Sequence, residues 1–323
     1  MSASGGGREA RLFTATLIAE EGLYDILDEI AFQFDMDCTA GKLRSYAWIE
    51  EDVAAEIHFA PADQFRLADC AELAEGIRDR TVAMAQGGWG RNLQLDVVVQ
   101  PSQHRAKRLL VADMDSTMIT IECIDELADY AGLKSEVAAI TERAMRGELE
   151  FEAALRARVS LLEGMEAELV DRCLEERARI TPGARALVRT MKAKGATCIL
   201  VSGGFTQFAG AVAESIGFDR VVANMLEIEE GRLTGLAVGQ VVSADTKRDV
   251  LLTAAEELGL PIEETLAVGD GANDIPMLQA AGLGVAYRAK PAAAAVADAR
   301  IEHNDLTALL FAQGYPRSEW VLD

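Results

Sequence analysis

Three apolar runs of the sequence each end in small or acidic residues, with longer helical stretches between them. They are RLLVADMD (108–115), ATCILVSGG (196–204) and ETLAVGDG (264–271), and LGVAYR (283–288) is a fourth run of this kind. Strands that are buried on both faces read as apolar runs, and helices between them cover a parallel sheet. The pattern therefore predicts a Rossmann-like α/β domain over 109–315, with ligands bound beyond the carboxyl ends of the strands.

The segment between the first two runs, about 124–185, is charged and amphipathic. Its periodicity predicts helices. One interpretation is a helical excursion on the surface. Because the segment follows the first strand end so closely, we also expect that it can fold back over that end as a helical cap.

Residues 11–100 follow a different rhythm. Apolar patterns predict strand 11–19, helix 20–34, two strands joined by an acidic turn, helix 65–86 and strand 92–100. This βαββαβ order predicts a ferredoxin-like domain. PSQHRAKR (101–108) is the expected linker, and the Gly-rich residues 1–10 are expected to form a flexible tail.

The charge of the chain limits its partners. With 323 residues and 50% hydrophobic content, two domains can each bury a core. The net charge of −22, from 53 acidic and 31 basic residues, disfavours nucleic acid and anionic membrane surfaces, since both require basic patches. A small anionic substrate is compatible only if local positive charge outweighs the acidic field.

The cysteines and the hydropathy indicate a cellular location. The five cysteines are scattered and show no C-x-x-C spacing, so neither a disulfide framework nor a zinc site is indicated. The N-terminus lacks the apolar segment of a signal peptide. No apolar run reaches the roughly 18 residues of a membrane span. We therefore expect a soluble, cytoplasmic protein.

Asp113 and Asp115 form a D-x-D-x-T motif directly after the first apolar run. At strand spacing, residues i and i+2 lie on one side, so both carboxylates face the same space. Two such charges about 4 Å apart repel by about 4 kcal/mol at an effective dielectric of 20. A divalent cation with a preference for oxygen ligands, such as Mg²⁺, removes this repulsion. The alternative is a solvated turn.

Polar groups also follow the other strands. They are Ser202 and Gly203 of SGG, Lys247 of SADTKRDVL, and Asp270, Asn273 and Asp274 of GDGANDIPML. A hydroxyl and backbone N–H groups before a helix suit an anion. Taken singly, each segment has an ordinary alternative, namely a small-residue turn or a surface lysine.

The ordered set D-x-D-x-T, S-G-G, Lys and G-D-G-x-N-D resembles the haloacid dehalogenase superfamily of phosphatases. DMDSTMITIECIDELAD, FEAALRARVSLLEG, SGGF and GDGANDIPML are similar to the phosphoserine phosphatase family within it. The resemblance covers about 108–290, with no departure at a motif position.

The resemblance implies a mechanism. Asp113 would be the nucleophile that forms an aspartyl-phosphate, and Asp115 the general acid and base. Mg²⁺ would be held by Asp113, the backbone carbonyl of Asp115, and Asp270, with Asp274 supporting the site. Ser202, the Gly203 N–H and Lys247 would bind the phosphoryl oxygens.

The resemblance also implies how the substrate is recognised. Glu122 would pair with the ammonium of the substrate, Arg158 would bind its carboxylate, and Phe151 would form a wall of the pocket. Asn273 would also bind the substrate. The ordinary alternatives are a helix N-terminal acid for Glu122, a surface cation for Arg158 and a core residue for Phe151.

The N-terminal βαββαβ unit resembles ACT domains, which often bind amino acids and dimerise. Gly22 lies near the position of the glycine in the ligand turn of such domains. This resemblance implies a possible homodimer through the N-terminal domain. The alternative is a structural or dimerising domain that binds no ligand.

The expected function is Mg²⁺-dependent hydrolysis of O-phospho-L-serine, the last step of serine biosynthesis. One alternative is a phosphatase or phosphotransferase that acts on another small phosphomonoester. A second, of a different class, is an amino-acid sensor whose catalytic domain is vestigial. The complete set of motif residues argues against the sensor.

Overall fold

The computed structural model describes residues 12–37, 39–89, 93–145 and 148–322, so the predicted tail at 1–10 lies outside the described residues. The chain forms two compact units. The first runs up to Ala106 and includes Ile301–Asn304 and Ala308–Ser318; the second contains Lys107–Arg300, Asp305–Thr307 and the residues from Glu319. Most of the segment after residue 300, which the sequence pattern assigns to the second domain up to 315, groups with the first unit.

The first unit is an antiparallel sheet with helices. Its elements are β1 (Phe13–Ala19), α1 (Leu27–Asp37), β2 (Gly41–Glu50), β3 (Ala54–Pro61), α2 (Cys70–Met84) and β4 (Leu95–Pro101). The strand order β2-β3-β1-β4 is that of a ferredoxin-like fold, as predicted. Side chains of the sheet such as Leu17 and Ile57 pack with Ile30 of α1 and Ile77 of α2 in one core.

Helix α1 begins at Leu27, seven residues later than the apolar pattern predicts. Gly22 has a φ of 97°, and its N–H donates to Asp52 Oδ1, as does the N–H of Tyr24. These bonds hold residues 22–24 in a loop, because their backbone donors are turned towards a side chain instead of entering a helix.

The second unit is the predicted α/β domain. Its strands are β5 (Leu109–Ala112), β6 (Thr197–Phe205), β7 (Arg220–Glu229), β8 (Arg232–Val238), β9 (Thr265–Gly269), β10 (Leu283–Tyr287) and β11 (Ala299–Ile301), in the order β11-β10-β9-β5-β6-β7-β8. Strands β10, β9, β5, β6 and β7 are parallel, and β8 pairs antiparallel with β7. The apolar runs of the sequence correctly predicted β5, β6, β9 and β10, whereas the hairpin β7–β8 and β11 were not predicted.

The helices between these strands include those of the segment that was predicted to form a helical cap. Between β5 and β6 lie α3 (Cys123–Tyr130), α4 (Lys134–Met145), α5 (Phe151–Ser160), α6 (Glu168–Arg177) and α7 (Ala184–Ala193). They are followed by α8 (Thr206–Ile216), α9 (Ala244–Glu257), α10 (Ile275–Ala280) and α11 (Pro291–Ala294), whereas α12 (Ala308–Ala312) belongs to the first unit. Among the described residues, no helix has the length and apolar character needed to cross a membrane.

The register of the sheet brings the motif residues together. Ala112 at the end of β5 pairs with Leu200 of β6 and with Val268 of β9. The segments that follow these three positions therefore emerge side by side at one edge of the sheet. This edge carries the candidate site.

Candidate active site

The centre of the site is a buried ammonium between two carboxylates. Lys247 Nζ lies 2.7 Å from Asp113 Oδ1 and 2.7 Å from Asp274 Oδ1, and only 1% of Lys247 is exposed. The lysine extends from the first turns of α9, which begins with a capping box formed by Ser243 and Thr246. Burial opposes the charge of Lys247, but the two carboxylates outweigh it and raise its pKa.

Glycine residues make room for Asp274. Its Oδ2 accepts hydrogen bonds from the backbone N–H groups of Asp270 (3.1 Å) and Gly271 (2.9 Å). A Cβ atom at Gly269 would lie 2.4 Å from Asp274 Cγ, a distance that no packed side chain tolerates. The G-D-G sequence thus fixes Asp274 by backbone contacts, and Asp274 in turn holds Lys247.

Three buried carboxylates can hold a metal ion. Asp113, Asp270 and Asp274 each offer an oxygen, and these atoms lie within 4.8 Å of one another. Burial is the main cause that raises the pKa of Asp113 well above its ordinary value, and Asp274 adds to the effect. Burial also raises the pKa of Asp270. A cluster of hard oxygen donors with this excess of negative charge suits a divalent cation.

The carboxyl end of β6 faces the same edge. Its pairing with β7 is interrupted between Ser202 and Phe205, and this irregular segment is called the β6 loop. The N–H of Gly204 donates to Ser202 Oγ at 2.8 Å, and Ser202 is 1% exposed. Asn224 Nδ2 donates to the Gly203 carbonyl at 2.7 Å, while Asn224 Oδ1 accepts from the N–H of Val242. The buried Asn224 therefore fixes the β6 loop, although no sequence motif marks this residue.

Asp115 lies between the loop of β6 and the start of α3. Its Oδ1 accepts a hydrogen bond from Cys123 Sγ at 2.9 Å. Loss of hydration raises the pKa of Asp115 to about 7, and the charge of Glu122 adds to the rise. A carboxyl group with this pKa exchanges its proton near neutral pH.

Glu122 and Lys290 form a second charged group at the site. Ser116 Oγ donates to Glu122 Oε1 at 2.9 Å. Lys290 Nζ lies 3.6 Å from the same Glu122 oxygen and 3.2 Å from Asp270 Oδ2. Lys290 thus links the carboxylate expected to bind the substrate amine with Asp270 of the carboxylate cluster. No sequence motif marked Lys290, and its position three residues after the end of β10 was the available signal.

Arg158 on α5 is half-buried, and its Nε donates to the Ala154 carbonyl. Burial lowers the pKa of Arg158, whereas Asp125, Glu122 and Asp115 counteract that effect, in this order. The guanidinium therefore lies within electrostatic range of Glu122 and Asp115, which places all three residues in one region of the unit.

Asn273 and Phe151 are the remaining residues predicted to bind the substrate. Asn273 is half-buried in the short 3-10 turn after β9, and a Cβ atom at Gly271 would lie 2.4 Å from its Oδ1. Phe151 is the first residue of α5, but its side chain lies outside the described residues. Its predicted place in the pocket wall stays a prediction.

Comparison with known proteins identifies the family. The haloacid dehalogenase-like hydrolase family matches residues 110–279, more than half of the chain. A curated phosphoserine phosphatase from Streptomyces coelicolor is 45% identical over 237 residues, which cover 73% of this chain and 58% of that relative. The chain thus spans little more than half of the length of that relative.

Solved structures give the same result. A probable phosphoserine phosphatase from Vibrio cholerae, in an unliganded form, is 33% identical with a TM-score of 0.69, and the match covers 96% of this chain and 88% of that chain. A structure described as a phospho-aspartyl intermediate analogue of phosphoserine phosphatase is 41% identical with a TM-score of 0.59, covering 64% of this chain and 98% of that one. The chain belongs to the haloacid dehalogenase-like hydrolase family, and the three relatives described above are named phosphoserine phosphatase or probable phosphoserine phosphatase.

Proposed function

We propose that this protein is a Mg²⁺-dependent phosphatase that hydrolyses O-phospho-L-serine to L-serine and phosphate, the last step of serine biosynthesis. The observation that carries the proposal is the buried Asp113–Lys247–Asp274 group, with Asp270 at the same sheet edge. Phosphoryl transfer needs charge neutralisation and positioning more than other chemistry, and this group supplies both. The names of the matched relatives support the substrate.

The carboxylates of Asp113 and Asp270, with the backbone carbonyl of Asp115, are the proposed Mg²⁺ ligands. Asp274 already accepts hydrogen bonds from Lys247 and from two backbone N–H groups, so it would support the site from behind. When bound, Mg²⁺ neutralises the phosphoryl oxygens and the carboxylate cluster.

Asp113 is the proposed nucleophile. Its Oδ1 accepts hydrogen bonds from Lys247 Nζ (2.7 Å) and from the N–H of Met114 (2.8 Å), which leaves Oδ2 to attack the phosphorus. The new bond joins Asp113 to phosphorus while the bond between phosphorus and the serine oxygen breaks. Asp115 gives its proton to that leaving oxygen. Ser202, the Gly203 N–H and Lys247 would hold the other phosphoryl oxygens.

Asp115 also serves the second step. After serine leaves, the ionised carboxylate takes a proton from a water molecule, whose oxygen attacks the phosphorus of the aspartyl-phosphate. Phosphate is released and Asp113 is restored. The raised pKa of Asp115, about 7, suits both directions of proton transfer, because neither protonation state is costly near neutral pH.

Glu122 and Arg158 are the proposed specificity residues. The Glu122 carboxylate would accept the substrate ammonium, and the Arg158 guanidinium would bind the substrate carboxylate. The charges of Asp125, Glu122 and Asp115, in this order, oppose the lowering of the pKa of Arg158 by burial. An α-amino acid phosphoester fits this pair of opposite charges better than an uncharged phosphoester does. Phe151 and Asn273 would complete the pocket.

Phosphate release from a panel of phosphomonoesters, with and without Mg²⁺, tests the proposal. We expect O-phospho-L-serine to have the highest kcat/KM, and EDTA or Asp113→Asn to abolish turnover. A different best substrate would overturn the serine assignment, and transfer to an added alcohol would indicate a phosphotransferase. Full activity of Asp113→Asn, after a check for deamidation, would overturn the mechanism.

The first unit is proposed to act as an ACT-like dimerisation module in a cytoplasmic enzyme. Its ferredoxin-like topology and the exposed side chains of Tyr24, Phe32 and Met36 support an apolar contact surface. The buried free thiols of Cys123, Cys173 and Cys198 support a reducing compartment. Light scattering of the intact protein, with Phe32→Glu/Met36→Glu as the variant, tests dimerisation, and calorimetry with L-serine tests amino-acid binding.

A further inference from the structure

Cys123 touches the carboxylate that transfers protons. Its Sγ donates to Asp115 Oδ1 at 2.9 Å. Cys123 is the first residue of α3 and is fully buried. In this contact the thiol S–H is the donor and the carboxylate oxygen accepts, because an ionised carboxylate has no hydrogen to give. The sequence motifs gave this thiol no function.

The turn between Asp115 and α3 explains the contact. Ser116 has a φ of 56°, a left-handed conformation that reverses the chain, and its N–H donates to the Ile121 carbonyl. The N–H groups of Met118 and Ile119 both donate to the Met114 carbonyl. This compact turn brings the start of α3 back against Asp115, although eight residues separate Asp115 from Cys123.

The other oxygen of Asp115, Oδ2, faces the β6 loop, which is proposed to bind the phosphoryl group. A Cβ atom at Gly204 would lie 2.9 Å from Asp115 Oδ2 and 3.0 Å from Ser202 Oγ. The absence of a side chain at Gly204 therefore allows Oδ2 to sit beside Ser202. Cys123 contacts Oδ1, and Oδ2 lies on the side of Gly204, so the two oxygens have different neighbours.

We propose that Cys123 is a positioning residue: its thiol holds Asp115 Oδ1, so that Oδ2 is the atom that gives the proton to the leaving oxygen. The inference deepens the proposed function and rests on it. Because Cys123 adjoins Glu122, the first turn of α3 would align the proton donor with the group that binds the substrate amine. A small misplacement of a catalytic group is expected to slow the reaction strongly.

The leaving group of the substrate separates this role from a structural one. The serine oxygen of O-phospho-L-serine needs a proton as it leaves, whereas the phenolate of p-nitrophenyl phosphate does not. The kcat/KM value covers only the steps up to departure of the leaving group. For Cys123→Ala we expect kcat/KM to fall about tenfold to hundredfold with O-phospho-L-serine, and less than about threefold with p-nitrophenyl phosphate. Cys123→Ser, which keeps a donor, should restore most of the loss.

Asp115→Asn is the reference variant. Because it removes the acid itself, its kcat/KM must also fall more with O-phospho-L-serine than with p-nitrophenyl phosphate. Equal losses of Cys123→Ala with both substrates, or no loss with either, would overturn the proposal, and so would a failure of Cys123→Ser to restore activity. If Cys123→Ala does not fold, Cys123→Val fills the space without a donor and must show the same pattern. If the wild type does not hydrolyse O-phospho-L-serine, the serine assignment fails separately, and the best alkyl phosphomonoester of the panel replaces it in the comparison.

Discussion

Lys247 Nζ lies 2.7 Å from Asp113 Oδ1, and both side chains are almost completely buried. A buried ammonium next to the proposed nucleophile fixes the orientation of that carboxylate. It also adds positive charge where phosphoryl oxygens would bind, inside a protein whose net charge is −22. Lys247 and the proposed divalent cation together would offset the carboxylates of the site, and in this way an acidic protein could accept an anionic substrate.

Replacing Lys247 should destabilise the protein as well as inactivate it. Lys247→Met leaves Asp113 and Asp274 buried without their cation, and loss of one partner of a buried ion pair costs about 3–5 kcal/mol of unfolding free energy. Lys194→Met is the control, because Lys194 pairs with Glu319 at the surface, where a pair contributes about 0–1 kcal/mol. Urea unfolding measures the unfolding free energy of each variant. A loss for Lys247→Met as small as that for Lys194→Met would contradict a stabilising role of the buried ion pair.

A methyl group at Gly204 should block the site. In Gly204→Ala the added Cβ lies 2.9 Å from Asp115 Oδ2 and 3.0 Å from Ser202 Oγ, so one of these side chains must shift. We expect kcat/KM for phosphoserine to fall about 100-fold, the scale of a 1 Å misplacement. Gly210→Ala on α8 meets open space and should keep full activity with unchanged or higher stability. Normal turnover by Gly204→Ala would show that the loop tolerates displacement.

Arg158 should discriminate substrates by their carboxylate. O-phosphoethanolamine carries the phosphate and ammonium of phosphoserine but lacks the carboxylate. For Arg158→Ala we expect KM for phosphoserine to rise about tenfold to hundredfold, the value of one hydrogen-bonded charge contact, with little change for phosphoethanolamine. Arg156→Ala removes an exposed arginine of the same helix that pairs with Glu152, and should leave both KM values unchanged. Steady-state kinetics of each variant with each substrate measures these KM values. If KM of Arg158→Ala rises equally with both substrates, Arg158 does not recognise the carboxylate.

The sequence predicted the parts of the site that local pattern determines. Asp113, Ser202 and Asp270 follow apolar runs, and parallel strands must bring their carboxyl ends to one edge. It did not predict Asn224 or Lys290, because their contacts join segments far apart in the chain and depend on packing. The contact of Cys123 with Asp115 was missed for another reason: it depends on the left-handed turn at Ser116, a conformation that is uncommon for serine.

The fold shows the same division. Periodicity predicted the ferredoxin-like order and four strands of the parallel sheet. The hairpin of Arg220–Glu229 and Arg232–Val238 was missed because its strands are partly exposed and lack a continuous apolar run. The late start of the first helix followed from hydrogen bonds to Asp52, a residue 30 positions from Gly22 in the chain, which no local pattern contains.

Glu56 should make the first unit sensitive to acid. Its Oε1 lies 3.0 Å from His58 Nε2 and its Oε2 lies 2.7 Å from Arg105 Nη1. The hydrogen bond with His58 is the largest cause that lowers the pKa of Glu56 from 4.5 to about 2, burial opposes it, and Arg105 adds to the lowering. Because the folded-state pKa is the lower one, the stabilisation is complete above pH 4.5 and is lost as the pH falls towards 2.

Glu56→Gln tests this dependence. At pH 7 the variant should lose up to about 3 kcal/mol of unfolding free energy, and the difference from wild type should shrink between pH 4.5 and 2. Thermal unfolding at a series of pH values from 7 to 2 measures the difference in stability between the variant and the wild type. The exposed Glu20→Gln serves as the reference and should follow the wild type at every pH. A difference for Glu56→Gln that is independent of pH would mean that packing, and not charge, is responsible.

The most direct test of the account is to capture the phosphorylated enzyme. The protein is mixed with O-phospho-L-serine and Mg²⁺, quenched in acid within one turnover, and digested, and the peptide that contains Asp113 is examined by mass spectrometry. We predict a phosphoryl group on Asp113 that appears before phosphate is released and is absent from Asp113→Asn. Full turnover with Asp113 unmodified at every quench time, or a phosphoryl group on another residue, would contradict the proposed mechanism.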